Sequence, residues 1–532
     1  MEKNIVILGI IIFLAFFIRV YNLPFPAFTA DEARIAYRGY TLANLGKDEM
    51  GRTFPVIFNS LSDYQLPVTS YLAAFGEFFL GKTDLGARVP FIVLGTILIF
   101  IIYKVTKLLN DKEEVALLAA GIGAFSPPLI FLSKIPNETI ILTFLLMLVF
   151  YLLLQKKVKF WQIGIMITLG VFTSKFSWFI MPFFVTFTLF FCADKFLQKK
   201  NIILILYSLI ISSLAITLFI GIPQGKRSLS ENNFSIFNNV TIANGINRLK
   251  GQGMQSGWPS VLDRALFNKA SYIPVGLLHW LSHIQPAFYF GQLDEKGIIN
   301  FPRMGGFASI LLIPALMGLF SLLKSFEKKW KILTTFFLFT FPATFIYPKY
   351  SLELVVLTLP IMAIIIAMGF LHLPRILAVV ILFVSVAQVM VQVINPFPNI
   401  RITNFQRPVW IKQVVNYVEN ISKEEQLIMS DDITDDNTPF IEWYSKFNPE
   451  DGFLAEQYPY RIRQTSLKNI NMHGFDKTAN ICSVKEKTQL IISKRDLQLI
   501  EDRFDLINLK KFQDSFDRDI AYSLSSRLCL NR

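Results

Sequence analysis

The sequence predicts a helical protein that crosses a membrane many times and ends in a small α/β domain. Three observations carry the prediction. Apolar runs of bilayer length recur from residue 5 to residue 394. Lysines collect in alternate connections between those runs. From Asn395 on, the pattern changes to short helix-like and strand-like segments. Composition agrees: 53% of residues are hydrophobic, 52 are Phe and only 17% are charged, where a soluble domain carries about 25%.

A span needs about 20 mostly apolar residues. Eleven candidates meet this: 5–20, 90–108, 113–132, 138–154, 160–174, 176–193, 201–222, 306–323, 332–347, 352–371 and 375–394. No small-residue cleavage site follows the first, which reads as a retained helix. Lys104, Lys107 and Lys112 mark one connection, and Lys156, Lys157 and Lys159 the next but one. Lys195, Lys199 and Lys200, then Lys324, Lys328, Lys329 and Lys331, mark two more. By the positive-inside rule these links and the N-terminus are cytoplasmic. Residues 21–89, 133–137, 223–305, 347–351 and the tail then lie outside. The expected division is a transmembrane domain at 1–394, with long external loops 21–89 and 223–305, and an extracytoplasmic α/β domain at 395–532.

In the first external loop Ala33, Ala36, Tyr37, Tyr40 and Leu45 recur at helical spacing, followed by Leu66, Tyr71, Leu72 and Phe75. Amphipathic helices of this kind lie along a membrane interface. In the tail, Val409–Glu419 and Phe440–Lys446 read as helices, and Gln426–Met429, Gln489–Ile492 and Phe504–Leu509 as strands. The chain's net charge is +13; the tail carries 19 basic and 20 acidic residues and is −1, so the first 394 residues carry +14. That excess belongs to loops at a membrane surface and predicts no nucleic-acid partner. Of three cysteines, Cys192 lies in an apolar span; Cys482 and Cys529 are available to pair if the tail is extracytoplasmic. Four histidines without HxxxH or CxxC spacing predict no protein-built metal site.

The chemistry-bearing residues gather in the external links. Asp31 and Glu32 follow the first span, with Arg34 and Arg38 close behind. The bland reading is an acidic first turn of a helix from about Glu32 to Leu45. Asp63 and Glu138 are further acids; Arg52, Arg88, Lys134, Lys226 and Arg227 are further cations. A base beside a hydroxyl acceptor, and cations beside a phosphate leaving group, are what glycosyl transfer from a lipid phosphate needs.

Several stretches, in chain order, resemble one family. They are Asp31-Glu32, then Gly46-Lys47-Asp48-Glu49-Met50-Gly51 through Ser62-Asp63-Tyr64-Gln65-Leu66-Pro67, and Ala87-Arg88-Val89-Pro90. Ser133-Lys134-Ile135-Pro136-Asn137-Glu138 follows, then Phe234–Asn238, His283-Ile284-Gln285-Pro286 through Asp294, and Tyr444–Pro449. Together they resemble polytopic glycosyltransferases of the GT-C type, in the superfamily of protein O-mannosyltransferases and aminoarabinose transferases (glycosyltransferase family 39).

The resemblance implies a GT-C membrane fold and a polyprenyl-phosphate sugar as donor. It implies Asp31 as catalytic base, with Glu32 beside it. Arg88, Lys134, Lys349 and Arg34 are the candidates for the donor phosphate. Asp63, Tyr64, Gln65, Glu138 and His283 form a second tier, on the acceptor side or elsewhere in the site. Two residues depart from the family pattern: Gln65 stands where relatives carry a Lys, and Lys134 where an Arg is usual. The acceptor is a protein, lipid or envelope glycan hydroxyl at the outer face. No cofactor is implied, and metal dependence and oligomeric state stay open. The alternatives are a flippase of lipid-linked sugars and an inactive GT-C-like scaffold. Transporters carry charges or helix breaks mid-span, whereas Lys175 and Glu353 lie near predicted span ends.

Overall fold

The computed structural model describes residues 2–23, 27–59, 64–155, 159–192, 198–222, 225, 235–257, 259–261, 271–291, 305–324, 331–332, 334–337, 339, 341–345, 352–394, 408, 410–421, 427–430, 433, 438–446, 465–467, 470–473, 489–500, 504–513 and 519–529. The expected spans become helices. They are α1 (Glu2–Val20), α4 (Asp84–Leu109), α5 (Glu113–Ala124) with α6 (Pro127–Ser133), and α7 (Glu138–Leu154). Next come α8 (Phe160–Val171), α9 (Ser177–Cys192) and α10 (Lys199–Ile220). Between α1 and α4 lie α2 (Ala30–Leu45), the short pair β1 (Phe58–Asn59) and β2 (Tyr64–Gln65), and α3 (Pro67–Leu80). After α10 follow α11 (Val240–Gln255), α12 (Tyr272–His283), α13 (Pro286–Phe290), α14 (Leu312–Lys324), α15 (Leu352–Phe370) and α16 (Arg375–Ile394).

Among the described residues, α1, α4 and α10 are each long and apolar enough to cross a bilayer alone. The pair α5–α6 meets the same test but bends by 60°. The bend falls before Pro127, at the first position of α6, where a proline costs no helical hydrogen bond. The remaining expected spans are shorter apolar helices, and the segment at 332–347 is helical where described, closing in a 3-10 turn at Phe341–Thr344. α1 leaves Ile5, Phe13 and Phe17 more than half exposed. Such a face suits lipid, since water would oppose it.

The centre of the bundle is α4 and α15. α4 packs on α1, α3, α5 and α7, and α15 on α5, α7 and α14. Leu354 to Phe370 of α15 are buried throughout. Gly318 of α14 and Gly369 of α15 let these helices touch: a Cβ at either would overlap a carbonyl oxygen, of Ile365 or of Pro314. Small residues drive close helix contact where the solvent is lipid.

The tail forms α17 (Ile411–Ile421), β3 (Leu427–Ser430), α18 (Thr438–Tyr444), β4 (Thr465–Leu467) and β5 (Ile470–His473). It continues with β6 (Gln489–Ser493), α19 (Lys494–Ile500), β7 (Phe504–Gln513) and β8 (Asp519–Cys529). The strands make one mixed sheet in the order β4-β5-β3-β6-β8-β7. β3 pairs parallel to β5 and β6, and β8 antiparallel to β6 and β7. The parallel centre is the buried part, with Met429 and Ile491 fully covered. The apolar face of α17, with Trp410, Val414, Val415 and Val418, shares a core with Phe28, Ala33, Ala36, Tyr37 and Ala87. The tail therefore packs on α2, the helix that begins with the acidic pair. Cys482 lies outside the described residues.

Candidate active site

α2 starts with a reciprocal cap. The Thr29 hydroxyl accepts from the Glu32 backbone N–H at 3.2 Å, and the Thr29 N–H donates to Glu32 Oε2 at 3.2 Å. A Thr followed three residues later by Glu encodes this box. The cap separates two neighbouring carboxylates. Glu32 turns inward and is buried, whereas the Asp31 side chain is 81% exposed. Asp31 is held by a salt bridge of 3.1 Å from Arg34 Nη1, whose side chain is only 9% exposed.

Arg88 lies in the second turn of α4 and is fully buried. Its guanidinium covers the Phe28 ring at 4.3 Å and donates through Nη1 to the Leu23 carbonyl. Lys134, one residue past α6, is also buried, and its Nζ donates to the Tyr21 carbonyl at 2.6 Å. Burial pushes the Lys134 ammonium down to about 8, with the charges of Arg88 and Arg19 adding to the effect. Arg88 and Lys134 thus converge on the turn that joins α1 to the capped start of α2. Glu138 opens α7 behind an Asn137 cap that accepts from Thr139 N–H at 2.7 Å.

Gln65 sits in β2, paired through the register Phe58↔Gln65. Its Oε1 accepts from Arg38 Nη1 at 2.9 Å and from the Ser70 hydroxyl at 3.3 Å. Arg38 is fully buried, bridges Glu49 at 2.6 Å and lies over Phe58 at 5.3 Å. The position where the resemblance leads to the expectation of a lysine is therefore occupied by an acceptor serving a buried arginine. Tyr64 beside it is buried, edge-on to Phe219 at 6.2 Å. His283 ends α12 and is buried, its Nδ1 2.7 Å from the His279 carbonyl. Tyr289 Oη donates to the His283 carbonyl at 3.2 Å. Asp63, Lys349, Lys226 and Arg227 lie outside the described residues. Among the described residues no group of three His, Cys, Asp or Glu is placed to hold a metal ion.

Sequence reasoning missed the tail's reach. Lys82 Nζ donates to the carbonyls of Glu442 and Ser445, each at 2.8 Å, at the C-terminal end of α18. It also lies over Tyr37 at 5.3 Å and Tyr40 at 5.1 Å. A cation suits that helix end, where carbonyls lack partners. Burial pushes Lys82 down to about 8, against the opposing pull of Glu442, Glu419 and Glu77. The Tyr444 hydroxyl is pushed up, by burial first and by Asp84 and Glu32, with Arg88 opposing. One tail tyrosine therefore feels Glu32 and Arg88 together.

The overall fold matches a known architecture. The structure of ArnT from Cupriavidus metallidurans in the apo state superposes with a TM-score of 0.56, covering 98% of both chains at 9% identity. The chain has the GT-C glycosyltransferase fold. A second ArnT structure from that organism, bound to undecaprenyl phosphate, superposes with a TM-score of 0.55 at 9% identity, over 98% of this chain and 97% of that one. A family model described as dolichyl-phosphate-mannose-protein mannosyltransferase matches residues 65–218. That match begins at Gln65 and takes in α3 to α10 of the GT-C bundle, leaving Asp31 upstream of it. A comparison with curated protein sequences returns no match.

Proposed function

We propose that this protein is an inverting glycosyltransferase of the cell membrane. It moves one sugar from a polyprenyl-phosphate donor to an acceptor hydroxyl at the outer face, with Asp31 as general base. The carrying observation is an exposed, Arg34-bridged carboxylate at the start of α2, beside buried cations on the turn that precedes it. The family model and the ArnT fold, one ArnT structure holding undecaprenyl phosphate, support the donor class.

In the reaction the acceptor oxygen attacks the anomeric carbon from the face opposite the phosphate. The bond from that carbon to the phosphate oxygen breaks, and its electron pair stays with the phosphate. Asp31 takes the acceptor proton as the new bond forms, late, because a hydroxyl is far less acidic than a carboxylic acid. The phosphate gains one negative charge, so Arg88 and Lys134 bind it more strongly in the transition state than before. Glu32, committed to the Thr29 cap, holds the helix start that aims Asp31. The transmembrane part is 1–394 and the extracytoplasmic domain 395–532, with the N-terminus in the cytoplasm.

The test is product release. Purified protein is given a panel of radiolabelled polyprenyl-phosphate sugars with a cell-envelope acceptor fraction. Acceptor-dependent release of polyprenyl phosphate is expected from one of them. No acceptor-dependent release above that of a protein-free control, across the panel, would overturn the reading.

A further inference from the structure

Three helices leave an apolar space between them. A cavity of about 300 Å³ lies between α1, α5 and α16, backed by a 3-10 turn at Ser309–Leu311. Ala308, Leu311 and Ser385 line its floor and are buried, whereas Ile7, Gly121 and Leu382 at its rim are half-buried. Beyond the rim, Phe13 of α1 and Phe383 of α16 are more than half exposed, as suits faces turned to lipid. The Ser385 hydroxyl is already used, donating to the Leu382 carbonyl at 2.8 Å. A wall of this kind takes hydrocarbon in preference to water.

One end of the space is closed. Ile18 of α1, Ile130 of α6 and Val389 of α16 form a buried cluster, with Phe125 packed against it. In each segment the lining residues precede the closing ones: Ile7 before Ile18, Gly121 before Ile130, Leu382 before Val389. The three segments therefore rise in parallel toward the closed end, which is also where α1 leads on to α2 and Asp31. A donor with its phosphate beside Asp31 would have to thread its chain through that cluster.

The other end lies where the helices begin. Lys3, Lys112 and Arg375 are exposed there. They precede Ile7, Leu117 and Leu382 of the wall by about 6–11 Å along the helix axes. Asp111 and Glu114 are exposed beside Lys112, while Glu113 is taken by Lys107 at 2.7 Å. Cations for a phosphate and carboxylates for an amine suit a zwitterionic headgroup. In the orientation set by the lysines, this end is cytoplasmic.

We propose that the cavity holds one acyl chain of a zwitterionic phospholipid of the cytoplasmic leaflet, with its headgroup among Lys3, Lys112 and Arg375. The site is separate from the donor site proposed above and does not depend on the reaction. From Leu382 to Val389 the space runs for about 10 Å, which accommodates part of a single chain. Burial alone gives little here, since the bilayer is as apolar as the wall. Dispersion contact with three helices holds the chain, and the headgroup charges fix its end. The lipid in turn fills the gap between α1 and α16, and so steadies the helix that leads on to Asp31.

The experiment is native mass spectrometry of the full chain, extracted from membranes in mild detergent. Wild type is expected to retain a single phosphatidylethanolamine-type lipid. Gly121 lines the cavity, and a Cβ there meets nothing within 4 Å. Gly121→Leu therefore puts a side chain into the space, and retention is expected to fall about tenfold or more. Val379→Leu, on the exposed face of α16, should retain the lipid as wild type does. Wild-type retention in folded Gly121→Leu overturns the proposal. So does a retained mass that is undecaprenyl phosphate, which would assign the cavity to the donor and leave the donor class standing. If Gly121→Leu does not fold, Ser385→Leu carries the test from the opposite wall. The same loss is expected of it, and wild-type retention again overturns the proposal.

Discussion

Trp443 donates its indole N–H to Asp84 Oδ1 at 3.0 Å, joining residues 359 positions apart. Its ring lies 6.0 Å from that of Phe28, which in turn covers Arg88 at 4.3 Å. A tail aromatic thereby braces one of the cations proposed to hold the donor. Trp443→Ala removes both the bond and the ring contact. Aromatic pairs are worth about 0.5–1.5 kcal/mol beyond their buried area. The donor KM is expected to rise about fivefold, with kcat nearly kept. Steady-state kinetics at fixed acceptor check this, and an unchanged donor KM in folded protein would show that the tail does not reach the donor.

Asp31→Asn keeps the size of the side chain and removes its basicity. Turnover is expected to fall by about 10²–10⁴, with undecaprenyl phosphate binding retained. Thr29→Ala should instead cost about 1 kcal/mol of stability through the lost cap and lower turnover much less. Near-wild-type turnover of Asp31→Asn at matched expression would move the base to Glu138 or Asp63.

Gln65→Lys installs the residue type that the family resemblance leads one to expect, yet it should be harmful here. The amide oxygen accepts from Arg38 at 2.9 Å. A lysine there would lose that bond and set a second cation against a buried guanidinium. A loss of about 1–3 kcal/mol is expected in thermal unfolding. A gain in stability would mean that the pocket rearranges to use the lysine.

Glu77 of α3 is buried, and neither carboxyl oxygen has a hydrogen-bond partner among the described residues. Burial pushes its carboxyl up to about 10, with Lys82 pulling the other way. The folded chain therefore keeps a proton that the unfolded chain releases near pH ~4.3. The stability from that proton is fully present below the unfolded value and is lost as pH rises toward the folded one. Glu77→Gln removes this dependence. It should raise Tm by about 2 °C or more at pH 8 and leave it unchanged at pH 4. Equal effects at both values would show Glu77 to be ionised in the fold.

The placement of lysines sets the expected orientation. A reporter that is active only outside the cytoplasm, fused after Arg532, should be active. A well-expressed but inactive fusion would put the tail, and Trp443 with it, on the wrong side for the proposed site.

What the sequence determined by itself was local. Hydropathy placed α1, α7 and α10 to within three residues, and it placed the apolar body of α4 but not its first six residues, Asp84 to Val89, because a span is a run of apolar neighbours. Helical spacing placed α2 and α3, and the Thr29–Glu32 pair carries the signature of the cap that aims Asp31 outward. Strands β3, β6 and β7 were legible as apolar runs, whereas β8 was not, since Asp519–Cys529 mixes polar and apolar residues and is held in register by β6 and β7. Only the tertiary structure decided which charges meet. Arg19 reads in the sequence as the end of a span, and Lys134 as a donor-phosphate candidate in an external link. They come together because α5–α6 bends by 60° and returns Ser133 to the end of α1. Trp443 reaches Asp84 because the tail covers α2. No local hydrogen bond or periodicity encodes such meetings; they depend on how helices distant in the chain pack, and Gly95 supplies the space that lets this one form.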